Sequence, residues 1–256
     1  MPDAHLPEVV RLADADAIAA EAAGRILEAA RAAVAARGVF TLVLSGGSTP
    51  ERLYRLLASA PPYREEFSAI PTRFIIGDER FVGFDAPESN WGMAARTLLD
   101  PLGIPADRRF PIPAPAPNVA TPEEAARRYE ATLRALYPAE AAPRFDLVLL
   151  GLGDDGHTAS LFPGKPALSV ADRWAVATPP GVLPPPVDRV TLTFPALNAA
   201  RRALFLVAGA KKAPALRAVL SGSADVEAYP AAGVRLTDGR LAILADAAAL
   251  GETTSP

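Results

Sequence analysis

The feature that most constrains this chain of 256 residues is a short apolar run that leads directly into a glycine-rich turn. The run at residues 147–150 contains no polar residue, which is typical of a strand buried on both faces of a parallel sheet. The glycines of the turn at residues 151–156 allow the backbone to bend tightly and to approach another group closely. The turn contains Asp154 and Asp155 and ends beside His157. The sequence therefore predicts chemically active side chains at the end of a buried strand.

Further apolar segments alternate with helical patterns along the chain. Strands are also predicted at residues 39–44, 73–77, 174–178, 189–193, 203–208 and 241–245, and helices begin near residues 14, 48, 89, 121, 195 and 213. This alternation predicts an α/β fold with a doubly wound, mostly parallel, Rossmann-like sheet and helices on both faces. The proline-rich segment 111–117 is interpreted as a connection within that sheet. We therefore expect one domain over residues 1–256, with poorly ordered ends near 1–7 and 251–256.

Charge and composition exclude several classes of protein. The formal charge of −3 argues against a general nucleic-acid binder, because such proteins carry a basic excess. The absence of cysteine excludes disulfides, thiolate metal sites and cysteine nucleophiles. No apolar stretch reaches the ~20 residues that span a bilayer, and residues 1–7 lack the features of a secretory signal. We expect a cytoplasmic protein without a membrane or nucleic-acid partner. It is expected to be a monomer, with a dimer as the alternative.

A second glycine-bearing segment follows the strand at residues 39–44. It consists of Ser45, Gly46, Gly47, Ser48 and Thr49 and opens a helix, for which either Ser48 or Thr49 is the predicted N-cap. An ordinary capped turn is one interpretation. Glycines and hydroxyls at a helix start also expose backbone N–H groups and the positive end of the helix dipole to an anion. We favour a phosphate-binding loop.

His157 is the strongest catalytic candidate. The other histidine in the sequence is His5, near the N-terminus. A lone histidine is more often structural, but Asp155 lies two residues away and could fix the imidazole tautomer and stabilise the imidazolium. This pair is suited to general-base chemistry near neutral pH. A metal site is not expected, because further ligands are lacking.

Polar residues follow three other predicted strands. Asp78, Glu79 and Arg80 are either a solvated loop or substrate contacts, in which Arg80 could stabilise an oxyanion. Lys212 either belongs to an ordinary helix start or neutralises a phosphate held by the Ser45–Thr49 loop. Arg189 is either a second phosphate ligand or a surface arginine. Because ligands bind beyond the carboxyl ends of parallel strands, we expect the segments after residues 44, 77, 150 and 208 to converge on one site.

These residues resemble the successive motifs of the 6-phosphogluconolactonase family, in the order in which that family carries them. The resemblance extends over residues 14–246. The motifs are Leu44-Ser45-Gly46-Gly47-Ser48-Thr49-Pro50, Gly77-Asp78-Glu79-Arg80, Ser89-Asn90, the segment 151–164, Arg189-Val190-Thr191-Leu192-Thr193, and the segment 209–212. Related glucosamine-6-phosphate deaminases typically continue after Asp-Gly-His with Ile-Ala-Phe-Asn-Glu-Pro, and they tend to carry Asp-Glu-Tyr rather than Asp-Glu-Arg. This chain has Thr158-Ala159-Ser160-Leu161-Phe162-Pro163 and Arg80, which favours the lactonase.

The resemblance implies hydrolysis of 6-phospho-D-glucono-1,5-lactone without a cofactor or metal. His157 would activate water, Asp155 would orient His157, and Arg80 would bind near the lactone. The resemblance also implies substrate contacts by a further set of residues, namely Asp78, Glu79, Asn90 and Gly156. The 6-phosphate would be held by the loop of Ser45–Thr49 with Lys212 and Arg189. An amino-sugar deaminase and a non-catalytic sugar-phosphate sensor stay open as alternatives.

Overall fold

A seven-stranded parallel sheet forms the centre of the protein. The structure is a computed structural model that describes residues 7–181 and 186–252. Within them, the strands of this sheet have the order β1-β10-β9-β6-β2-β3-β5, and every pairing is parallel. The strands are β1 (Glu8–Leu12), β2 (Phe40–Leu44), β3 (Thr72–Ile76), β5 (Arg109–Phe110), β6 (Leu147–Leu150), β9 (Arg202–Val207) and β10 (Arg240–Asp246). The predicted α/β class and its parallel sheet are confirmed.

The strand order reverses direction between β2 and β6. From β2 the chain builds outward through β3 to β5, and from β6 it builds the opposite way through β9 to β10. The neighbours β2 and β6 are paired through Leu42 with Leu147 and through Val43 with Val148. Such a reversal leaves a crevice at the carboxyl ends of the two strands. The segments that follow β2 and β6 are the Ser45–Thr49 loop and the glycine-rich turn.

A second sheet of three antiparallel strands adjoins the first. It contains β4 (Asp78–Arg80), β7 (Ala175–Thr178) and β8 (Arg189–Leu192), in the order β4-β8-β7. The interpretation of residues 78–80 as a solvated loop is therefore wrong, and the alternation of strands and helices did not predict a second sheet. Gly77 joins the two sheets, because its N–H donates to Leu44 O (2.9 Å) and its carbonyl accepts from Leu192 N (2.8 Å).

The helices begin and end largely where the sequence predicts. They are α1 (Ala15–Arg37), α2 (Ser48–Ser59), α3 (Pro61–Ala69), α4 (Asn90–Ala94), which continues as a π-helical turn to Leu99, α5 (Pro122–Leu136), α6 (Phe194–Asn198) and α7 (Ala213–Leu220). Asp14 caps α1 by accepting from Ala17 N, and Gly38 ends that helix at φ 76°. Ser89 and Thr121 cap α4 and α5. The edge strands β1 and β5 and the helix α3 were not predicted.

Two buried tyrosines hold the ends of adjacent strands. The hydroxyl of Tyr54, on α2, donates to Ser45 O (2.8 Å) and accepts from Ser45 N (2.9 Å). The hydroxyl of Tyr129, on α5, bonds in the same way to the backbone of Ile76 at the end of β3. Burial raises the pKa of both phenols above its ordinary value, which is already well above neutral, so each hydroxyl can donate one hydrogen bond and accept another. The helices thereby fix the points at which the chain leaves β2 and β3.

The apolar side chains of both sheets belong to one hydrophobic core, which includes Val148 of the large sheet and Val190 of the small one. One core shared by both sheets is consistent with a single domain, which stays a prediction. Of the ends predicted to be poorly ordered, residues 1–6 and 253–256 lie outside the described residues. Gly251 and Glu252 are described, and their N–H groups donate to Ala248 O and Ala247 O. None of the helices in the described residues has the length and apolar character needed to cross a membrane.

Candidate active site

A cavity of about 270 Å³ opens at the carboxyl end of the parallel sheet. Its walls come from the segments that follow β2, β3, β6 and β9, and these four strands are neighbours in the sheet. The structure therefore brings together the four segments that the sequence predicts to converge. The predicted site residues that line the cavity are Ser45, Gly46, Gly47, Ser48, Thr49, Asp78, Arg80, Asn90, His157, Arg189 and Lys212.

His157 and Asp155 form a hydrogen-bonded pair at the wall of this cavity. Asp155 Oδ1 lies 2.5 Å from His157 Nδ1 and also accepts from the backbone N–H of His157. Burial of Asp155 opposes its ionisation, but the hydrogen bond and charge of His157 outweigh burial, so the pKa of Asp155 lies below its usual value. A Cβ on Gly153 would fall 2.1 Å from His157 Nδ1, so this glycine is required for the pair to form.

Asp155 and Gly156 do not line the cavity themselves. Asp155 stands behind His157, which agrees with its predicted role as the residue that orients the imidazole. Gly156 has φ 83° and packs against Tyr229, where an added Cβ would lie 2.7 Å from Tyr229 Cδ1. This position does not support the prediction that Gly156 contacts substrate. Glycine is required here because of the positive φ and the close contact with Tyr229.

The residues after His157 connect the glycine-rich turn to the small sheet. Thr158 Oγ1 donates to Gly151 O (2.8 Å), which closes the turn, and Ser160 Oγ donates to Asp78 Oδ2 (2.7 Å). Between them, Ala159 has φ 49°, a conformation that residues other than glycine seldom adopt. Ser160 thereby holds one oxygen of Asp78, a buried carboxylate at the cavity wall.

The loop of Ser45–Thr49 forms the N-terminal end of α2 without a side-chain cap. The residue before the helix is Gly47, with φ 105°, and neither Ser48 nor Thr49 caps the helix, so both predicted caps are wrong. The wrong assignment arose because both residues belong to the first turn, one position or more too late to act as caps. A Cβ on Gly46 would lie 1.9 Å from Asn90 Oδ1, so this glycine lets the loop contact Asn90 closely. An uncapped helix start offers its N–H groups and dipole to an anion.

Two arginines face the same cavity from opposed positions in the small sheet. Arg80 on β4 pairs directly with Arg189 on β8, so their side chains share one face. Among the described residues, neither guanidinium has a carboxylate within salt-bridge distance. Arg80 Nη1 donates to Glu88 O and Asn90 Oδ1. The Nε atoms of both arginines are buried without a hydrogen-bond partner among the described residues. Opposed like charges destabilise a sheet, so this arrangement indicates a site for an anion.

Arg189 is 4% exposed, so its interpretation as a surface arginine is wrong. Burial lowers its pKa, and the nearby charge of Arg80 lowers it further. The alternation of polar and apolar residues at 189–193 predicts one exposed face, but both faces of β8 are covered. The sequence pattern therefore could not show that Arg189 is buried.

Glu79 does not line the cavity, contrary to its predicted contact with substrate. It is 1% exposed, and its two oxygens accept four hydrogen bonds. The donors are Arg80 N, Ser89 Oγ, Asn90 N and Trp91 N. Burial nevertheless raises the pKa of Glu79. The carboxylate therefore joins β4 to the start of α4 and holds Asn90 and Arg80 in place from behind.

Lys212 reaches the cavity from the turn after β9, where it is paired with Asp154. Lys212 Nζ lies 2.6 Å from Asp154 Oδ1, and both side chains are partly exposed. Although Asp154 is next to Asp155 in sequence, its salt-bridge partner is Lys212. The turn itself is held by Asp246, at the end of β10, which accepts from Gly209 N. Sequence reasoning missed this role, because nothing in the chain order connects the last strand to Lys212.

Within the described residues, no group of three or more His, Cys, Asp or Glu side chains is arranged to hold a metal ion. The groups that face the cavity can bind an anion through N–H and guanidinium donors and can move a proton through His157. The arrangement therefore supports acid–base chemistry on an anionic substrate.

Comparisons with known proteins identify the family of this chain. Residues 13–243 match the family model described as glucosamine-6-phosphate isomerases/6-phosphogluconolactonase. A 6-phosphogluconolactonase from Synechocystis sp. is 44% identical over 227 residues, which cover 88% of this chain and 88% of that protein. The structure of 6-phosphogluconolactonase from Trypanosoma brucei has a TM-score of 0.85 and 31% identity, covering 97% of this chain and 99% of that one. A monomeric glucosamine-6-phosphate deaminase, 22% identical with a TM-score of 0.79 over 95% of this chain and 99% of its own, shares the fold. The chain therefore belongs to the family of glucosamine-6-phosphate isomerases and 6-phosphogluconolactonases.

Proposed function

We propose that this protein is a 6-phosphogluconolactonase, which hydrolyses 6-phospho-D-glucono-1,5-lactone to 6-phosphogluconate. The observation that carries the proposal is the combination of two opposed arginines, neither with a carboxylate partner among the described residues, and the His157–Asp155 pair in one cavity. The arginines suit an anionic substrate, and the pair suits activation of water. The name of the relative from Synechocystis supports the lactone as the group that is cleaved.

In the first step, His157 accepts a proton from a water molecule as the water oxygen attacks the lactone carbonyl carbon. The atom available for this is Nε2, because Nδ1 is hydrogen-bonded to Asp155. Asp155 holds the imidazole in the matching tautomer and stabilises the imidazolium that forms. The carbonyl π bond breaks, and its electron pair moves to the oxygen, which becomes an oxyanion.

In the second step, the oxyanion re-forms the carbonyl and the bond to the ring oxygen breaks. The imidazolium of His157 donates its proton to the leaving ring oxygen, which becomes the free hydroxyl of the open acid. Arg80 stabilises the oxyanion in between, because its guanidinium faces the cavity and is held by Glu88 O and Asn90 Oδ1. General acid–base help of this kind typically contributes ~10²–10⁴-fold to the rate.

The phosphate is held away from the reacting carbonyl. The uncapped start of α2 supplies N–H donors, and Lys212 and Arg189 supply positive charge. Binding energy from this remote group then positions the lactone against His157. Each of these steps is carried by side chains and backbone groups of the chain itself, and the proposal includes no metal or cofactor.

The test is a pair of assays on the purified protein. With 6-phospho-D-glucono-1,5-lactone we expect hydrolysis well above the spontaneous rate, which a protein-free sample measures. With glucosamine 6-phosphate we expect no release of ammonia. Ammonia release without lactone turnover would replace this proposal with the deaminase, and sugar-phosphate binding without either reaction would replace it with a sensor.

A further inference from the structure

One aromatic ring, that of Phe162, packs against both His157 and Arg189. Phe162 belongs to the segment after the catalytic turn and is 2% exposed. Its ring centroid is 4.6 Å from that of His157, with the ring planes inclined by 47°. The guanidinium carbon of Arg189 lies 5.3 Å from the same Phe162 centroid. A single apolar side chain therefore contacts the proposed base and a proposed phosphate ligand.

The ring of Phe162 is itself held tightly. Gly181 packs directly on it, because a Cβ at position 181 would fall 2.4 Å from Phe162 Cε1 and 2.8 Å from Cζ. The backbone of Phe162 is also fixed, since its carbonyl accepts from Lys165 N (3.2 Å). The ring is thus a rigid support with little room to rotate.

Arg189 needs such a support. Its Nε is buried without a hydrogen-bond partner in the part of the chain that the structure describes, and the opposed Arg80 repels it. No carboxylate among the described residues is close enough to fix its direction. The electron-rich face of an aromatic ring attracts a guanidinium at this distance, so Phe162 can hold Arg189 without using the donors that a phosphate requires.

His157 has a corresponding need. Asp155 fixes one edge of the imidazole through Nδ1 but leaves the ring free to swing about that contact. A packed ring against the imidazole removes this freedom while leaving Nε2 free to take a proton. Displacements of ~1 Å at a reacting group can cost ~10²-fold in rate, so the orientation matters.

We propose that Phe162 is a positioning residue that sets the orientation of His157 and of Arg189 simultaneously. This inference rests on the proposed function, in which His157 is the base and Arg189 binds the phosphate. It makes the two parts of the site dependent on one side chain. Loss of the ring should therefore change kcat through His157 and KM through Arg189, whereas a core phenylalanine should change neither.

The experiment compares Phe162→Leu with Phe67→Leu. Phe67, on α3, is equally buried and packs edge-on against Phe74 in the core, so it controls for loss of a buried ring. In Phe162→Leu we expect kcat to fall by about 10- to 100-fold and KM for the lactone to rise by about three- to tenfold. In Phe67→Leu we expect a lower Tm with both constants within about twofold of wild type.

A second variant reaches the ring without removing it. Gly181→Ala places a methyl group against Phe162 and should displace the ring, which predicts the same combined change in kcat and KM. The proposal is overturned if Phe162→Leu or Gly181→Ala, folded by circular dichroism, keeps both constants within about twofold of wild type.

Failure of the proposed function would be visible separately, as absence of lactone hydrolysis by the wild type. The role of Phe162 can then be tested by NMR of the His157 imidazole. The sequence contains only two histidines, so the His157 signal is easily assigned. A His157 signal that is narrow in wild type and broader in Phe162→Leu supports the proposal. An unchanged linewidth overturns it.

Discussion

The two ends of the parallel sheet each carry a cavity with arginines in its wall, and the arginines differ in their partners. The cavity at the amino end is the larger, about 420 Å³ against about 270 Å³ at the carboxyl end. It lies between α1 and the starts of β1, β6, β9 and β10. There Arg25 is paired with Glu8 and Glu21, and Arg202 is paired with Glu28. Arg240, the third arginine of this cavity, is exposed and has no carboxylate within salt-bridge distance among the described residues, although its charge acts on Glu8 and Glu28.

At the carboxyl end, Arg80 and Arg189 lack carboxylate partners within the described part of the chain, although burial makes an unpaired charge more costly there. A protein that folds with such charges has a use for them, and an anionic ligand is the simplest one. At the amino end, three arginines line the cavity together with three glutamates, so the fold itself balances their charge. The comparison teaches that unbalanced charge, rather than volume, distinguishes a binding site from a gap between elements.

The largest effect that would test this comparison is expected from His157→Ala. We expect kcat for lactone hydrolysis to fall by about 10²–10⁴-fold, because the variant loses its general base. Binding of 6-phosphogluconate, measured by calorimetry, should change little, since the anion-binding groups are intact. His5→Ala is the matched control and should keep wild-type activity. Nearly normal kcat in His157→Ala would remove this residue from the proposed role.

The next effect compares the two ends directly, through Arg189→Met and Arg202→Met. Loss of Arg189 should lower kcat/KM by about 10- to 100-fold, as expected for a lost hydrogen bond to a charged group. Because the change removes a buried cation that has no carboxylate partner among the described residues, Tm should stay the same or rise. Loss of Arg202 should leave kcat/KM unchanged and lower the free energy of unfolding by less than ~1 kcal/mol. Equal losses of activity in both variants would contradict the distinction between the two ends.

The smallest effect is expected at Asp154, which forms a salt bridge with Lys212 at the carboxyl end. In Asp154→Asn, Lys212 is released from its carboxylate and becomes fully available to phosphate. We expect KM for the lactone to fall by up to about fivefold, which corresponds to ~1 kcal/mol for a partly exposed ion pair. Lys212→Ala serves as the reference and should raise KM. A rise of KM in Asp154→Asn as well would show that Asp154 positions Lys212 rather than competing for it.

The sequence predicted the large sheet and the convergence of four segments because strong local signals carried them. Apolar runs identified β2, β6 and β9, and the caps Asp14 and Thr121 identified α1 and α5. What it did not predict depends on partners distant in the chain. Nothing in the sequence shows that residues 78–80 pair with residues 189–191, or that Ser160 bonds to Asp78.

The same limit applies to Glu79 and Arg189. Both lie in short charged or alternating segments, in which burial is decided by the elements that cover them. Their exposure could not be inferred from neighbours in sequence, so one was predicted to contact substrate and the other was left undecided. Phe162 belongs to the motif at residues 158–163, but its contacts with His157 and Arg189 depend on the tertiary fold.

The strand order has a consequence for the synthesis of the protein. Strand β6 lies between β2 and β9, so β2 has a sheet neighbour on one side only until the chain has reached residue 150. The cavity needs residues from Ser45 to Lys212, which span most of the sequence. Because such distant pairings form late in folding, no early folding intermediate can contain the complete site. A nascent chain is therefore expected to stay inactive until Lys212 has been added and the turn after β9 can form. The onset of lactone hydrolysis during synthesis would report when the sheet has assembled.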